Sequence, residues 1–126
     1  MSWWKNKPVD RHGNPLPWIT YPAIDFIKQF DYSDADVFEW GSGFSTLWWS
    51  QRCRSIHSLE SNPKWYCIMK SRLGANVTYI HTAIKAEDEV AAFRELKRDF
   101  DVIVVDNHGR FRYDCAKAAA EAIREG

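Results

Sequence analysis

The sequence predicts an α/β protein: a parallel sheet covered by helices on both faces, a three-layer α-β-α sandwich. Three observations carry that expectation. Four short runs rich in Val, Ile, Phe and Tyr recur along the chain, and segments of helical periodicity lie between them. The first run breaks on a tight Gly41-Ser42-Gly43 turn, as a strand does when it passes directly into a helix. The chain has 126 residues, enough for one domain with a single core.

Each element has its own signal. Residues 1–22 are rich in Pro, Asn, Gly and Trp and read as an irregular arm. A helix then starts at Pro22, with Thr20 near the cap and Ile24, Ile27 and Phe30 on one face. Asp36–Trp40 is the first strand, and a helix follows from about Ser45 to Arg52. Ser55–Leu59 is the second strand, ended by Glu60. Asn62 as cap and Pro63 as first helical residue open a helix that closes near Leu73-Gly74. Val77–Ile80 is the third strand, and Val90, Phe93 and Leu96 mark the inner face of a helix over Asp88–Arg98. Phe100–Val105 is the fourth and most apolar strand, and an alanine-rich helix follows from Asp114 to Glu125. Right-handed crossovers leave a doubly wound sheet as the favoured topology.

Composition narrows the function. Seventeen basic residues balance seventeen acidic ones, which argues against a nonspecific nucleic-acid binder and against electrostatic attachment to a membrane. Cys53, Cys67 and Cys115 are odd in number and widely spaced. Neither they nor His12, His57, His81 and His108 show metal-ligand spacing, so no metal is expected. With no leader-like apolar run and no stretch approaching 18 apolar residues, the expectation is a soluble, cytoplasmic protein.

In such a sheet a ligand binds outside the carboxyl ends of the strands. Gly41-Ser42-Gly43 lies there, where backbone amides can approach a ligand closely. Glu60 ends the second strand 19 residues after Gly41 (60 − 41), the distance at which a Rossmann-type site places the acid for ribose hydroxyls. An adenosine-containing ligand follows. A dinucleotide fingerprint asks for a third glycine where Thr46 stands, and Glu39 would repel a pyrophosphate while suiting an ammonium group. Both details favour S-adenosylmethionine over NAD.

The stretch Val37-Phe38-Glu39-Trp40-Gly41-Ser42-Gly43-Phe44-Ser45-Thr46 resembles the first motif of the class I S-adenosylmethionine-dependent methyltransferases. Ser55–Glu60 resembles their second strand with its ribose acid, and Asp101–Asp106 their fourth strand with its terminal acid. Glu-x-Gly-Ser-Gly-x-Ser-Thr-Leu and the preceding Pro-Trp-x-Thr-Tyr-Pro are similar to a small bacterial and phage-borne subgroup. The resemblance implies a Rossmann-like sheet of strand order 3-2-1-4 in a single methyltransferase-like domain over residues 1–126. It also implies that Glu39 serves the methionine amino group, that Gly41, Ser42, Gly43 and Ser45 line the cofactor, and that Glu60 takes the ribose. Asp106 would lie beside the sulfonium. The third strand ends in His81-Thr82, without the acid that many relatives direct at the adenine amino group.

Asp106 and His108 are the candidate catalytic residues, His108 because its ordinary pKa suits a general base. Arg110 and Arg112 read as solvated loop cations, and Trp48-Trp49 as core. Trp3, Trp4, Trp18 and Tyr21 form a candidate lid over the cofactor mouth. The methyl acceptor is not legible. A dinucleotide-binding (NAD) domain and a catalytically silent interaction module stand as alternatives. The family sheet has seven strands and this sequence supplies four, which would leave the fourth at an edge. The expectation is therefore either a further C-terminal region covering that strand or self-association through it.

Overall fold

The computed structural model describes residues 11–16 and 21–124. Helix α1 (Tyr21–Ile27) precedes β1 (Asp36–Trp40), α2 (Phe44–Ser50), β2 (Ser55–Glu60), α3 (Pro63–Lys70), β3 (Val77–His81), α4 (Ala86–Glu95), β4 (Val102–Val105) and α5 (Arg112–Ala120). All strand pairs are parallel, and the order is β3-β2-β1-β4, as the resemblance implied. Strand β1 is central and its five residues are all buried, because helices cover both of its faces.

The two-residue strand period sorts the core into two layers. Phe38 and Trp40 meet Val90 and Phe93 of α4 and Cys115 and Ala118 of α5. Val37 meets Trp48 and Trp49 of α2, with Ile27 of α1 packed alongside. The tryptophan pair is core, as expected. Among the described residues no helix is long and apolar enough to cross a membrane.

Two of the boundaries that differ from expectation lie around β4 and share a physical reason. The fourth strand begins at Val102 and not Phe100, and the last helix ends at Ala120. After α5 the chain turns back and lays Ala122–Arg124 beside Phe100. The Phe100 amide donates to the Ala122 carbonyl at 2.9 Å, and the Arg124 amide to the Phe100 carbonyl at 2.9 Å. Phe100 and Ile123 thus form a parallel bridge on the outer side of β4, covering its foot. That edge, expected to be bare along its whole length, carries the start of a further ladder.

A clasp fixes this end of the sheet. Asp36 accepts from Arg54 at 2.6 Å, Arg98 at 3.0 Å and Arg124 at 3.3 Å. Asp101 accepts from the Asp36 amide at 2.8 Å and from Arg124 at 2.8 Å. Hydrogen bonding from Arg54, against the cost of burial, holds the Asp36 carboxyl far below the usual range.

Candidate functional site

At the opposite, carboxyl end of the sheet, the turn between β1 and α2 is built on one obligatory glycine. Gly41 takes φ 91, in the left-handed region, and a Cβ there would stand 2.7 Å from the Asp106 carbonyl carbon and closer still to its oxygen. The turn is therefore pressed against the end of β4. Gly43 is different: its backbone is extended, and a Cβ would make ordinary contact with the Trp65 ring at 3.6 Å.

Glu39 lies beneath the turn, on the face of β1 that α2 covers. The register aligns it with Ser58 of β2, which is aligned in turn with Tyr79 of β3. Its carboxylate accepts from Ser45 at 2.8 Å, from Ser58 at 3.0 Å and from the Thr46 hydroxyl. Thr46 also accepts from the Gly43 amide at 3.1 Å. The threonine standing where a dinucleotide fingerprint wants glycine is thus the link between the turn and the buried acid. Burial pushes the Glu39 carboxyl up to about 7, with the charge of Asp106 adding to it and the three hydroxyls opposing. Glu39 has no exposed surface, and Ser45 stands between it and the mouth as a half-buried hydroxyl.

Glu60 closes β2 and grips the same turn. Its Oε1 accepts from the Ser42 amide at 3.0 Å and the Ser42 hydroxyl at 2.7 Å, and its Oε2 accepts from the Asn62 amide at 3.0 Å. Ser42 is held further by the Tyr79 hydroxyl at 2.5 Å, while its carbonyl accepts from Trp65 Nε1 at 2.7 Å. Tyr66 stacks between Tyr79 and His81, at centroid distances of 4.5 and 4.9 Å. Ser42, Gly41, Glu39 and Glu60 are therefore one connected unit, with Ser45 on its rim.

Asp106 follows β4 with its side chain half exposed, its Oδ1 accepting from Arg112 at 3.3 Å. Burial raises its carboxyl, and Arg112 opposes the shift. His108 is exposed in the loop beyond, and its Nδ1 accepts from the Arg110 amide at 3.3 Å, which leaves Nε2 as the nitrogen facing away from that contact. Arg112, read from the sequence as a solvated loop cation, opens α5 and pairs with Asp106 while its side chain stays more than half exposed.

One residue of the mouth, Glu89, was not singled out from sequence. Glu89 of α4 is buried and sits against the end of β1, where its carbonyl accepts from Trp40 Nε1 at 3.1 Å. Asn107 donates to Glu89 Oε1 at 3.4 Å. Three consecutive acids at the start of a helix, Glu87, Asp88 and Glu89, look like a solvated first turn, so the one that turns inward carries no sequence signal. Among the described residues no group of three or more His, Cys, Asp or Glu is placed to hold a metal ion. Of the candidate lid, Trp3, Trp4 and Trp18 lie outside the described residues, and Tyr21 is 73% exposed.

No protein-family model matches the chain, and no curated protein matches it in sequence. Among solved structures it is similar to the precorrin 8W decarboxylase of Methanobacterium thermoautotrophicum, with a TM-score of 0.64 and 18% identity, over 92% of this chain and 63% of that one. The chain thus spans less than two thirds of that enzyme's length. At this identity the likeness is one of fold: a Rossmann-like arrangement of parallel strands and alternating helices.

Proposed function

We propose that the carboxyl-end mouth binds S-adenosylmethionine and that residues 1–126 form a methyltransferase domain, or the cofactor-binding portion of one. The observation that carries this reading is the grip of Glu60 on Ser42 at 2.7 and 3.0 Å, which joins the ribose acid to the glycine turn in one rigid unit. The donor set also fits. Glu39, Glu60, Glu89 and Asp106 gather at this mouth, and among the described residues the cation bonded to any of the four is Arg112, on Asp106. Such a lining suits a ligand bearing a sulfonium and an ammonium and opposes a pyrophosphate.

Bound there, S-adenosylmethionine supplies an electrophilic methyl group. The chain's own residues orient and hold. Glu60 keeps acceptor capacity for one ribose hydroxyl, since a carboxylate offers about four lone-pair directions and three are used. Ser45 relays Glu39 to the amino-acid end. Asp106 flanks the reacting centre, and His108 Nε2 takes the proton of an acceptor hydroxyl or amine.

Calorimetric titration with S-adenosylmethionine, S-adenosylhomocysteine and NAD tests the reading. Micromolar binding of the first two is expected, and Glu60→Ala should weaken it roughly 10- to 100-fold. Binding of NAD alone would replace the proposal with the dinucleotide reading. Silence toward all three would favour an interaction module.

A further inference from the structure

Of the four acids at the mouth, Asp106 already holds a cation of the chain's own. Arg112 Nη2 donates to Asp106 Oδ1 at 3.3 Å, and Arg112 Nε donates to the Asn107 carbonyl at 3.0 Å. The bond to the carbonyl is well formed, while the one to the carboxylate is long for a charged pair. The two side chains of that pair are 54% and 49% exposed, and ion pairs so open to water add little to a fold. The local setting also works against the charge, because Arg112 opens α5, where the helix dipole repels a cation.

Asp106 does not depend on Arg112 for its place. Its amide donates to the Trp40 carbonyl at 2.9 Å, and its own carbonyl is pressed against the Gly41 turn. The acid is therefore fixed through the backbone, while its counter-charge is held loosely at the surface. Partial burial raises the Asp106 carboxyl and Arg112 opposes that shift, so the guanidinium is what offsets this charge. A second cation arriving at the carboxylate competes with the guanidinium. A neutral group does not.

We infer that Arg112 is a resident competitor for the cationic sulfur of the ligand, and that it sets how strongly the mouth prefers a sulfonium over the neutral thioether. The inference rests on the reading of the mouth as an S-adenosylmethionine site with Asp106 beside the sulfur, and adds the residue that tempers the charge preference there. With the guanidinium in place Asp106 is partly neutralised, and the charged and uncharged forms of the ligand are held more nearly alike. When the sulfonium arrives, it takes over the carboxylate and the guanidinium turns out into water. No covalent bond changes in this exchange.

The test is calorimetry with S-adenosylmethionine and S-adenosylhomocysteine at low ionic strength, read as the ratio of the two affinities. Arg112→Gln should shift that ratio toward S-adenosylmethionine by about 3- to 5-fold, the scale of one half-exposed ion pair. Asp106→Asn should shift it the other way, and in that background Arg112→Gln should move it by less than about 1.5-fold. Salt at about 0.5 M should shrink the Arg112→Gln effect. A merely structural role for Arg112 would weaken both ligands alike and leave the ratio in place. Circular dichroism melts check the folding of each variant, and Arg112→Met, which keeps the aliphatic stem, is the second variant for the same comparison. An unmoved ratio in a folded Arg112→Gln or Arg112→Met protein overturns the inference, as does an equal shift in the Asp106→Asn background. Failure of the parent to bind either ligand strikes the function reading itself, and the inference with it.

Discussion

Asp36 and Glu39 stand three residues apart on β1, both buried, and the chain treats them in opposite ways. Asp36, at the foot of the sheet, has three guanidiniums within 3.3 Å and is held ionised. Glu39, at the mouth, has only hydroxyl donors among the described residues and is pushed up to about 7. One end of the strand is neutralised by the protein's own cations, and the other is left in want of one. A buried acid without a cation costs stability, and folded proteins tolerate that mainly where a site uses it. The difference separates the clasped foot of the sheet from the mouth proposed as the site.

The sharpest break of that contrast is at the turn. Gly41→Ala puts a Cβ into the Asp106 carbonyl at a left-handed φ, and should cost about 4 kcal/mol or prevent folding, read by urea denaturation. Glu39 comes next. Its folded value is raised from 4.5 to about 7, so below pH about 4.5 its contribution is fully present, and it is lost as pH rises through about 7. On the order of 3 kcal/mol of relative stability should disappear across that window, and Glu39→Gln should flatten the profile there. A parent and variant with parallel profiles would place the mouth in a more polar environment than its burial indicates.

Asp36 works in the other direction. Its value is depressed, so its contribution is present above about pH 4 and is lost as pH falls through the folded value. Asp36→Ala should cost about 2 kcal/mol at pH 7, discounted because its arginines are a third to more than half exposed. The smallest effect is expected at Gly43→Ala, about 0.5 kcal/mol or less in stability, since Trp65 leaves room for the methyl group. If Gly43→Ala nonetheless loses S-adenosylhomocysteine in calorimetry, close approach of a ligand and not the turn is what that glycine serves.

Much of this was legible in the sequence. β1 at Asp36–Trp40, the Asn62-Pro63 helix start and the tryptophan core follow from local patterns, and the strand order from the resemblance of the motifs. Helix ends were less so. The acidic Glu87-Asp88-Glu89 turn starts α4 at Ala86, and α4 closes at Glu95, just before Lys97 takes φ 51. The Ser42–Tyr79 contact depends on how β2 registers against β3, and the pairing of Phe100 with Ile123 on a turn after α5. Both are long-range choices that no window of sequence contains. Glu89 stayed hidden because a helix-start acid is equally at home in water.

The clasp at the foot also has a kinetic side. Arg124 and Asp36 are 88 residues apart, so their contact closes more than two thirds of the chain into a loop. Closing a loop of that length costs entropy before it returns any contact energy, which places the clasp among the last interactions to form during folding. An interaction absent from the folding transition state acts on the unfolding rate and leaves the folding rate nearly untouched. Arg124 is in that sense a latch on the lifetime of the native sheet.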